Sequence, residues 1–392
     1  MTANAVFIHQ PEASRYKFNE DHPFHPQRLK LAMHLLEDAG ALSDEQKMTA
    51  LPADEAMLAL VHREDYIEAV KQLSQLSPST EFVSQAEKFG LRTEDTPFFP
   101  GMHDAASSIV GGSALAADLV MSGQFKHAFH MAGGLHHAFP ERASGFCVYN
   151  DAAIAITRLR QQFNARVLYI DTDVHHGDGV QWTFYDNPNV CTYSIHETGK
   201  FLFPGTGFVH ERGIDQGFGA SINVPVEPYT EDDSWLECFS STIEKVTAAF
   251  KPDIIISQHG CDAHAYDPLS HTQCSMRIYH AMPAIIHRLA HEYTDGRWVA
   301  IGGGGYDIWR VVPRAWALVW LEMTDHPISL RLREHDSNES LPEKWLAHWE
   351  SQSPEPLPKH WLDDTSNWTP MPRRSEIEVR NRQITAIAAQ DL

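Results

Sequence analysis

The chain has 392 residues and a formal net charge of −21, because 52 Asp and Glu outnumber 31 Lys and Arg. A surface of that charge repels phosphate backbones, which argues against nucleic-acid binding. The hydrophobic content of 43% is enough for a large buried core, and no apolar run reaches the roughly 18–20 residues that span a bilayer.

Short apolar runs alternate with amphipathic helical patterns along most of the chain. The predicted strands cover residues 5–9, 127–131, 166–171, 190–195, 253–257 and 298–301. The predicted helices cover residues 25–39 and 233–250, and a segment that begins at Pro283 and stops before Gly296. This alternation predicts an α/β domain with a parallel sheet that is covered by helices on both faces.

The C-terminal part of the chain has a different composition from about residue 333 onward. It is rich in proline and charge, yet it carries four of the ten tryptophans: Trp345, Trp349, Trp361 and Trp368. Exposing so much aromatic surface to water would be costly, so we expect this part to pack on the main domain. The sequence therefore predicts a catalytic domain over residues 1–330 and a packed extension over residues 331–392.

The five cysteines and the N-terminus bear on the cellular compartment. The cysteines are odd in number and widely spaced, and no CxxC pair occurs. That pattern argues against a disulfide framework or a Cys-rich zinc site and is typical of a reducing compartment. No basic region precedes a long apolar stretch at the N-terminus, so no signal peptide is expected. We therefore expect a cytoplasmic protein.

Four predicted strands are each followed by a polar or glycine-rich loop. These loops contain His136 and His137, residues 171–179, Asp262 with Asp267, and residues 302–306. Because the carboxyl ends of parallel strands meet at one edge of a sheet, we expect the four loops to build a single site.

The loop after residue 170 has the pattern of a metal site. Asp171, Asp173 and His175 share the parity of an extended segment and would point to one face. Asp173 and His175 could bind one metal ion, with Asp267 arriving from a later loop. Two carboxylates and one imidazole leave coordination positions open, which is typical of a hydrolytic site. The alternative is that the two aspartates only cap the loop that follows.

The remaining polar residues suggest proton transfer and oxyanion stabilisation. His136 and His137 have no carboxylates in alternation with them, so we interpret both as proton-transfer residues. Asp171 and Asp178 are the natural hydrogen-bond partners, one for each histidine. Tyr306 follows four glycines, where a phenol could approach a substrate and stabilise an oxyanion. The glycines could instead form a phosphate loop, but no Lys or Ser/Thr follows them as in a P-loop.

The order of these motifs resembles that of the zinc-dependent histone deacetylase family. The matching segments are GGLHHA (133–138), SGFC (144–147), DTDVHHGDG (171–179), FPGTG (203–207), Asp262 with Asp267-Pro268, and GGGGY (302–306). A narrower resemblance to the bacterial acetoin-utilisation deacetylases, of AcuC type, lies in residues 93–97, 194–199 and 306–316. Together the motifs cover roughly residues 5–325.

The resemblance implies the arginase–deacetylase fold, a single α/β domain whose central sheet has eight parallel strands flanked by helices. It implies that Asp173, His175 and Asp267 bind Zn²⁺, with Fe²⁺ as the alternative in the cell. His137 would then be the general base and acid, and His136 its electrostatic partner.

The same resemblance assigns the other site residues. Asp171 and Asp178 would lie behind the two histidines, and Tyr306 would donate a hydrogen bond to the transition state. The expected substrate-binding residues are Asp95, Gly145, Phe146 and Phe203, with the two phenylalanines as walls of an acyl-lysine tunnel. The expected potassium-binding residues are Asp171, Asp173, His175 and Ser194, with a second potassium site around residues 184–190. Cys261 and Cys274 depart from many relatives, and we expect them to affect the pocket wall and the tunnel mouth.

The resemblance implies hydrolysis of Nε-acetyl-lysine on a protein substrate, with acetate as a product. The expected substrate is a metabolic enzyme such as an acyl-CoA synthetase. Acetylpolyamines are the alternative substrates. An arginase-like ureohydrolase with two manganese ions is disfavoured, because the order here is Asp171-x-Asp173-x-His175 and not Asp-x-His-x-Asp. A silent acetyl-lysine reader would need neither the metal ligands nor Tyr306. The oligomeric state does not follow from the sequence.

Overall fold

A sheet of eight parallel strands forms the centre of the computed structural model, which describes residues 5–334 and 339–390. The strands are β1 Ala5–Ile8, β2 Lys47–Met48, β3 His127–His130, β4 Val167–Asp171, β5 Val190–Glu197, β6 Ser221–Val226, β7 Ile254–Gln258 and β8 Trp298–Ile301. Their order across the sheet is β2-β1-β3-β8-β7-β4-β5-β6, and every neighbouring pair is parallel. The predicted α/β class with an eight-stranded parallel sheet is confirmed.

Helices cover both faces of this sheet. They are α1 Gln27–Asp38, α2 Glu55–Leu58, α3 Glu64–Leu73, α4 Thr80–Gln85, α5 Met102–Met121, α6 Asp151–Phe163, α7 Asp178–Thr183, α8 Asp232–Phe250, α9 Met276–Tyr293, α10 Val312–Met323, α11 Pro327–Leu332, α12 Glu343–Trp349 and α13 Arg374–Ala388. Val6 and Ile8 of β1 pack with α5 and α6, whereas Phe7 packs with α1 and α10. Because both faces are buried, most central strands are near-continuous apolar runs, although β3 begins and ends with His and β5 carries several polar residues. No helix in the described ranges is both long and apolar enough to cross a membrane.

The six predicted strands are all present, with ends that differ from the prediction by at most two residues. β2 and β6, the two edge strands of the sheet, are not among the predicted strands. β2 has only two residues, which is too short for a periodic signal. β6 contains Pro225, which cannot donate to a ladder and is tolerated at a sheet edge.

The predicted start of α9 at Pro283 is wrong. The helix begins at Met276, and the side chain of Ser275 caps it by accepting a hydrogen bond from the Arg277 amide. Pro283 lies inside the helix, where its ring has no N–H to donate. Packing against α8 and α10 holds the helix together there, so tertiary contacts outweigh the local cost of the proline. The other two predicted helices correspond to α1 and α8.

The C-terminal segment contributes aromatic side chains to the main core. Trp345, Trp349 and Trp361 are buried in the cluster that also contains side chains of α1, α9 and α10. The indole of Trp345 donates a hydrogen bond to the Leu31 carbonyl at 3.0 Å. Asp363 accepts a hydrogen bond from His264 at 2.9 Å, so the segment also supports the loop after β7. The boundary at residues 330/331 stays a prediction.

All five cysteines are buried and form no disulfide. Cys274 lies in the main core, and its Sγ is 3.7 Å from the Thr230 carbonyl oxygen. The Cys261 Sγ is 3.5 Å from the Gly304 carbonyl oxygen. Neither residue lines the pocket described below. The expectation that Cys274 lies near a tunnel mouth is therefore wrong, and the effect of Cys261 on the pocket wall stays a prediction.

Candidate active site

The four polar loops singled out in the sequence follow β3, β4, β7 and β8. These strands are consecutive neighbours in the middle of the sheet, in the order β3-β8-β7-β4. Because all of them are parallel, their carboxyl ends lie side by side, and the loops meet at one edge. Chain order alone does not reveal this adjacency, since β5 and β6 come between β4 and β7.

Two histidines of the β3 loop each contact a carboxylate of the β4 loop. The His136 Nδ1 is 2.8 Å from Asp171 Oδ2, and the His137 Nδ1 is 2.7 Å from Asp178 Oδ1. All four side chains are buried, and the two imidazole ring centres are 4.0 Å apart. The hydroxyl of Tyr169 also donates to Asp171 Oδ2, at 2.9 Å. Each histidine is therefore oriented through Nδ1, which leaves its Nε2 for chemistry.

The two histidines differ in protonation. Burial favours neutral imidazoles, but at His136 the carboxylates of Asp171 and Asp173 outweigh burial and raise the pKa to about 9. At His137, burial and the neighbouring His136 lower the pKa well below its usual value. Burial raises the pKa of Asp178 to about 7. At neutral pH the pair thus combines a cationic His136 with a neutral His137 that can accept a proton.

A candidate metal group lies beside this pair. One ligand atom each from Asp173, His175 and Asp262 lie within 4.8 Å of one another. The His175 Nδ1 is 3.2 Å from Asp173 Oδ1 and 3.0 Å from Asp262 Oδ2. Asp267 is outside that group: its oxygens accept the backbone N–H groups of Leu269 at 2.9 Å and Tyr306 at 2.8 Å. The metal-binding role of Asp267 stays a prediction.

The donors present fit a divalent cation. Burial and the charge of Asp173 raise the pKa of Asp262 to about 6. Burial and the charge of Asp262 raise the pKa of Asp267 well above its usual value. These shifts mark a surplus of buried negative charge at one point, which a divalent ion would compensate. Carboxylate oxygens with one imidazole nitrogen form a donor set that hydrolytic metal sites use.

Glycine is required where the β8 loop crosses this group. The Gly304 amide donates to Asp173 Oδ2 at 2.8 Å. A Cβ on Gly304 would lie 2.2 Å from Asp262 Oδ2 and 2.8 Å from Asp173 Oδ2. Any side chain there would displace a carboxylate, so glycine permits close approach of the backbone to the candidate metal group.

Two residues that hold this site together were not predicted from the sequence. Gln258, the last residue of β7, donates through Nε2 to Asp173 Oδ2 at 2.8 Å. Arg28 of α1 is buried and donates to the carbonyls of Gly303 at 2.8 Å and Gly305 at 3.3 Å. A polar residue at a strand end is a signal that could have revealed Gln258. Arg28 has no such signal, because a charged residue in a helical pattern is usually exposed.

A narrow pocket of about 210 Å³ leads to these residues. Its lining comprises Asp95, His137, Gly145, Phe146, His175, Leu202, Phe203, Leu269 and Tyr306. The ring centre of Phe203 is 5.0 Å from that of His137, and the ring centre of Phe146 is 5.6 Å from that of Tyr306. Asp95 is exposed. All four residues predicted to bind substrate therefore line one pocket.

Tyr306 lines this pocket from the β8 loop. Its amide N–H is bound to Asp267, which fixes the backbone at the base of the side chain. Burial and the nearby Asp262 raise the pKa of the phenol well above its usual value. The hydroxyl therefore stays protonated and can donate a hydrogen bond to a developing oxyanion.

The residues expected to bind potassium are neighbours at the ends of β4 and β5. Ser194 pairs in register with Asp171 across these strands, and its hydroxyl is 2.7 Å from His196 Nδ1. Asp173 and His175 follow β4 directly. Both potassium sites, including the one around residues 184–190, stay predictions.

A buried histidine behind the site makes folding sensitive to acid. The His62 Nδ1–H donates to the Phe139 carbonyl at 3.1 Å, and its Nε2 accepts the Asn150 amide at 3.0 Å. Asn150 in turn donates to the Ala138 carbonyl, so His62 supports the loop that carries His136 and His137. Burial lowers the pKa of His62 from 6.5 to about 4.

We expect His62 to contribute stability that is present above pH 6.5 and lost as the pH falls toward 4. The unfolded chain takes up this proton near pH 6.5 and the folded chain only near pH 4, so acid favours unfolding by roughly 3 kcal/mol across that range. The free energy of unfolding, measured by denaturant titration at pH 7, 6 and 5 with a chelator present, tests this expectation. The stability gap between wild type and His62→Gln should narrow with acidification, whereas exposed His210→Gln should follow wild type. A constant gap contradicts the assignment.

Comparison with known proteins gives consistent matches over nearly the whole chain. A family model described as histone deacetylase domain matches residues 22–323. The acetoin utilization protein AcuC of Bacillus subtilis (strain 168) is 50% identical over 385 residues, 98% of this chain and 96% of that protein. The protein of the same name from Staphylococcus aureus (strain MSSA476) is 46% identical over 383 residues, again 98% and 96%.

Solved structures match over the same length. A crystal structure of an HDAC homolog from Aquifex aeolicus has a TM-score of 0.82 and 27% identity, and the match covers 97% of this chain and 99% of that one. A crystal structure of an HDAC homolog complexed with SAHA matches with the same values.

Proposed function

The chain belongs to the histone deacetylase family, and from that premise we propose that it uses a divalent metal ion, with Zn²⁺ as the first candidate, to hydrolyse Nε-acetyl-lysine in proteins. The observation that carries the proposal is the 210 Å³ pocket whose lining includes His137, His175 and Tyr306. Sites for drug-sized ligands have about 300–1,000 Å³, so this smaller pocket suits one extended side chain.

The walls of the pocket favour a neutral acyl-lysine. Phe146 and Phe203 offer apolar contact to the methylene stem. A charged acyl tip such as succinyl would lose its hydration between these rings without gaining a partner, so we expect it to be disfavoured. Asp95, exposed at the pocket, would accept hydrogen bonds from backbone amides of the substrate.

The proposed chemistry divides between the metal and the side chains. Asp173 and His175, with Asp267 as the third ligand, would hold the metal, which when bound would supply Lewis acidity for the hydrolysis. His137, neutral and oriented by Asp178, accepts the proton of the attacking water through Nε2. His136, cationic beside Asp171, stabilises the negative charge that develops. Tyr306 donates its O–H to the oxyanion, and His137 then returns the proton to the departing lysine amine.

A panel of substrates tests the reaction class. The purified protein, loaded with Zn²⁺, is assayed on an acetyl-lysine peptide, a succinyl-lysine peptide, an acetylated polyamine and arginine, with Asp173→Asn as the inactive control. We expect the acetyl-lysine peptide to have the highest kcat/KM. Faster turnover of the acetylpolyamine would make that the substrate class, and urea release from arginine would replace the proposal with a ureohydrolase.

We further propose that the substrate is an acetylated enzyme of acetate or acetoin metabolism, such as an acyl-CoA synthetase. The names of the relatives, which refer to acetoin utilization, support this choice. The net charge of −21 would attract a basic patch around the acetylated lysine. Deacetylation of an acetylated acyl-CoA synthetase should be faster than that of an equally acetylated unrelated protein. Equal rates would contradict this substrate.

Gly145 should be essential for access to the catalytic histidine. Its φ is 49°, and an added Cβ would lie 2.6 Å from His137 Cδ2 and 2.8 Å from Phe203 Cε1. Gly145→Ala must therefore displace the base or narrow the pocket. Since a displacement of about 1 Å can cost roughly 100-fold in rate, we expect kcat/KM for the peptide to fall by about that factor. Metal content should not change, and Gly123→Ala, where an added Cβ meets no atom within 4 Å, is the control. A normal rate for Gly145→Ala would contradict the pocket assignment.

A further inference from the structure

A second histidine cluster lies at the amino end of the sheet, opposite the candidate active site. His127 is the first residue of β3. His287 and His291 lie one turn apart on α9. His127 and His287 are buried, and His291 is exposed. The deacetylase chemistry proposed above uses none of the three.

The three imidazoles converge through the same ring nitrogen. The His127 Nε2 is 3.2 Å from the His287 Nε2, which is 3.0 Å from the His291 Nε2. One nitrogen from each ring lies within 4.8 Å of the other two. The ring centres are 4.7–5.1 Å apart and the rings are mutually tilted, so they surround a common point and do not stack.

Hydrogen bonding alone does not satisfy this arrangement. The Nε2 of His287 faces two other Nε2 atoms, yet a neutral imidazole nitrogen has either one proton or one lone pair. It can therefore form only one good hydrogen bond in that direction. A metal ion at the common point would engage all three lone pairs at once. For Zn–N distances of about 2.0–2.1 Å, the nitrogen atoms of tetrahedral ligands lie about 3.3 Å apart, which is close to the two Nε2–Nε2 distances given above.

We propose that the Nε2 atoms of His127, His287 and His291 bind one divalent metal ion that prefers imidazole ligands, with Zn²⁺ as the first candidate. Neutral imidazole suits Zn²⁺, Ni²⁺ and Cu²⁺ and does not suit Mg²⁺ or Ca²⁺. The site is separate from the carboxylate-rich group at the other end of the sheet and does not depend on the proposed deacetylase activity.

The surroundings of His287 match those of a metal ligand. Its Nδ1 is 3.5 Å from Oε1 of Glu322, which is buried on α10. A histidine that binds a metal commonly donates its other N–H to a carboxylate, which fixes the ring. Ser329 donates to the second Glu322 oxygen at 2.6 Å, and Arg333 also contacts this carboxylate. The carboxylate is therefore held in place, with part of its charge offset by the guanidinium.

A surface pocket gives an ion access to the cluster. The pocket has a volume of about 600 Å³, and its lining includes His287, His291, Glu322 and Asp325. Arg288 and Arg333 also line the pocket and balance its two carboxylates, so the preference for a cation rests on the three imidazole nitrogens and not on the charge of the entrance. Three protein ligands leave a fourth position for water on the pocket side. Bound metal would join β3 to α9 and, through Glu322, to α10.

The metal stoichiometry of the 392-residue chain tests the site. Wild type, His291→Gln and the exposed control His210→Gln are equilibrated with buffered Zn²⁺ and analysed for zinc per chain. We expect His291→Gln to bind one equivalent fewer than the other two proteins, with at least about 100-fold weaker affinity at this site. Its activity on an acetyl-lysine peptide should remain normal, which separates this site from the proposed catalytic one. Equal zinc content in all three proteins would overturn the proposal, as would an equal loss in His210→Gln.

A measurement on wild type alone avoids any folding defect of the variant. His291 is exposed and open to modification by diethyl pyrocarbonate, which reacts with a free imidazole nitrogen. Zn²⁺ should protect His291 against the reagent, as measured by peptide mass spectrometry, and should leave exposed His210 reactive. Unchanged reactivity of His291 at saturating Zn²⁺ would show that its nitrogen is not a ligand.

Discussion

Replacing Tyr306 by Phe is expected to lower kcat for an acetyl-lysine peptide by roughly 10²–10³-fold, the usual cost of removing one oxyanion donor. The phenol is the pocket residue with a neutral O–H, because burial raises its pKa well above the usual value. Its main-chain amide, which binds Asp267, is retained in the variant. KM and metal content should therefore change little, and steady-state kinetics with metal analysis measure all three quantities.

The matched control for this variant is Tyr229→Phe. Tyr229 is half-exposed and does not line the pocket, so its hydroxyl should not affect turnover. If Tyr306→Phe retains near-normal kcat, the oxyanion donor is another group. If its zinc content falls, the effect acts through Asp267 and not through the missing hydroxyl.

The central part of the sheet could be predicted from the sequence because its strands are buried on both faces. Most of them are near-continuous apolar runs, and each of the six predicted runs is a strand. The edge strands carry a weaker signal, as the two residues of β2 and Pro225 of β6 illustrate. The order β3-β8-β7-β4 is a property of pairing between distant segments, and no local pattern encodes it.

The candidate site was predictable to the extent that its residues occur together at strand ends. His136, His137, Asp171 and Asp178 are such residues, and their hydrogen bonds join two neighbouring loops. Arg28 was not predictable, because it reaches the site from α1, some 275 residues from the Gly303 carbonyl that it binds. The loop after β7 was ambiguous for a different reason. It contains two aspartates five positions apart, and spacing alone does not determine which one faces the pocket.

The choice between Asp262 and Asp267 as the third metal ligand leads to the second large expected effect. Asp262 is 0% exposed and Asp267 6%, close to the 7% of His175, which lines the pocket. A catalytic metal must be accessible to substrate, which favours Asp267, because its carboxylate binds the amide of the pocket residue Tyr306. Asp262 instead accepts the Val174 amide at 2.9 Å and contacts His175 Nδ1, so it orients a ligand.

We therefore expect Asp267→Asn to weaken zinc binding at the active site by more than about 100-fold, and Asp262→Asn by roughly 10–100-fold, the usual effect of a residue that orients a ligand. Competition with a chelator, in the His291→Gln background that removes the other proposed site, measures both affinities. Excess zinc should partly restore activity to Asp267→Asn, because that variant loses a ligand charge and keeps the pocket.

The reverse order of affinities would make Asp262 the ligand and Asp267 a residue that positions Tyr306 through its backbone. Unchanged affinity in both variants would place the metal on other donors, because two carboxylates with strongly raised pKa values cannot both leave a bound divalent ion unaffected.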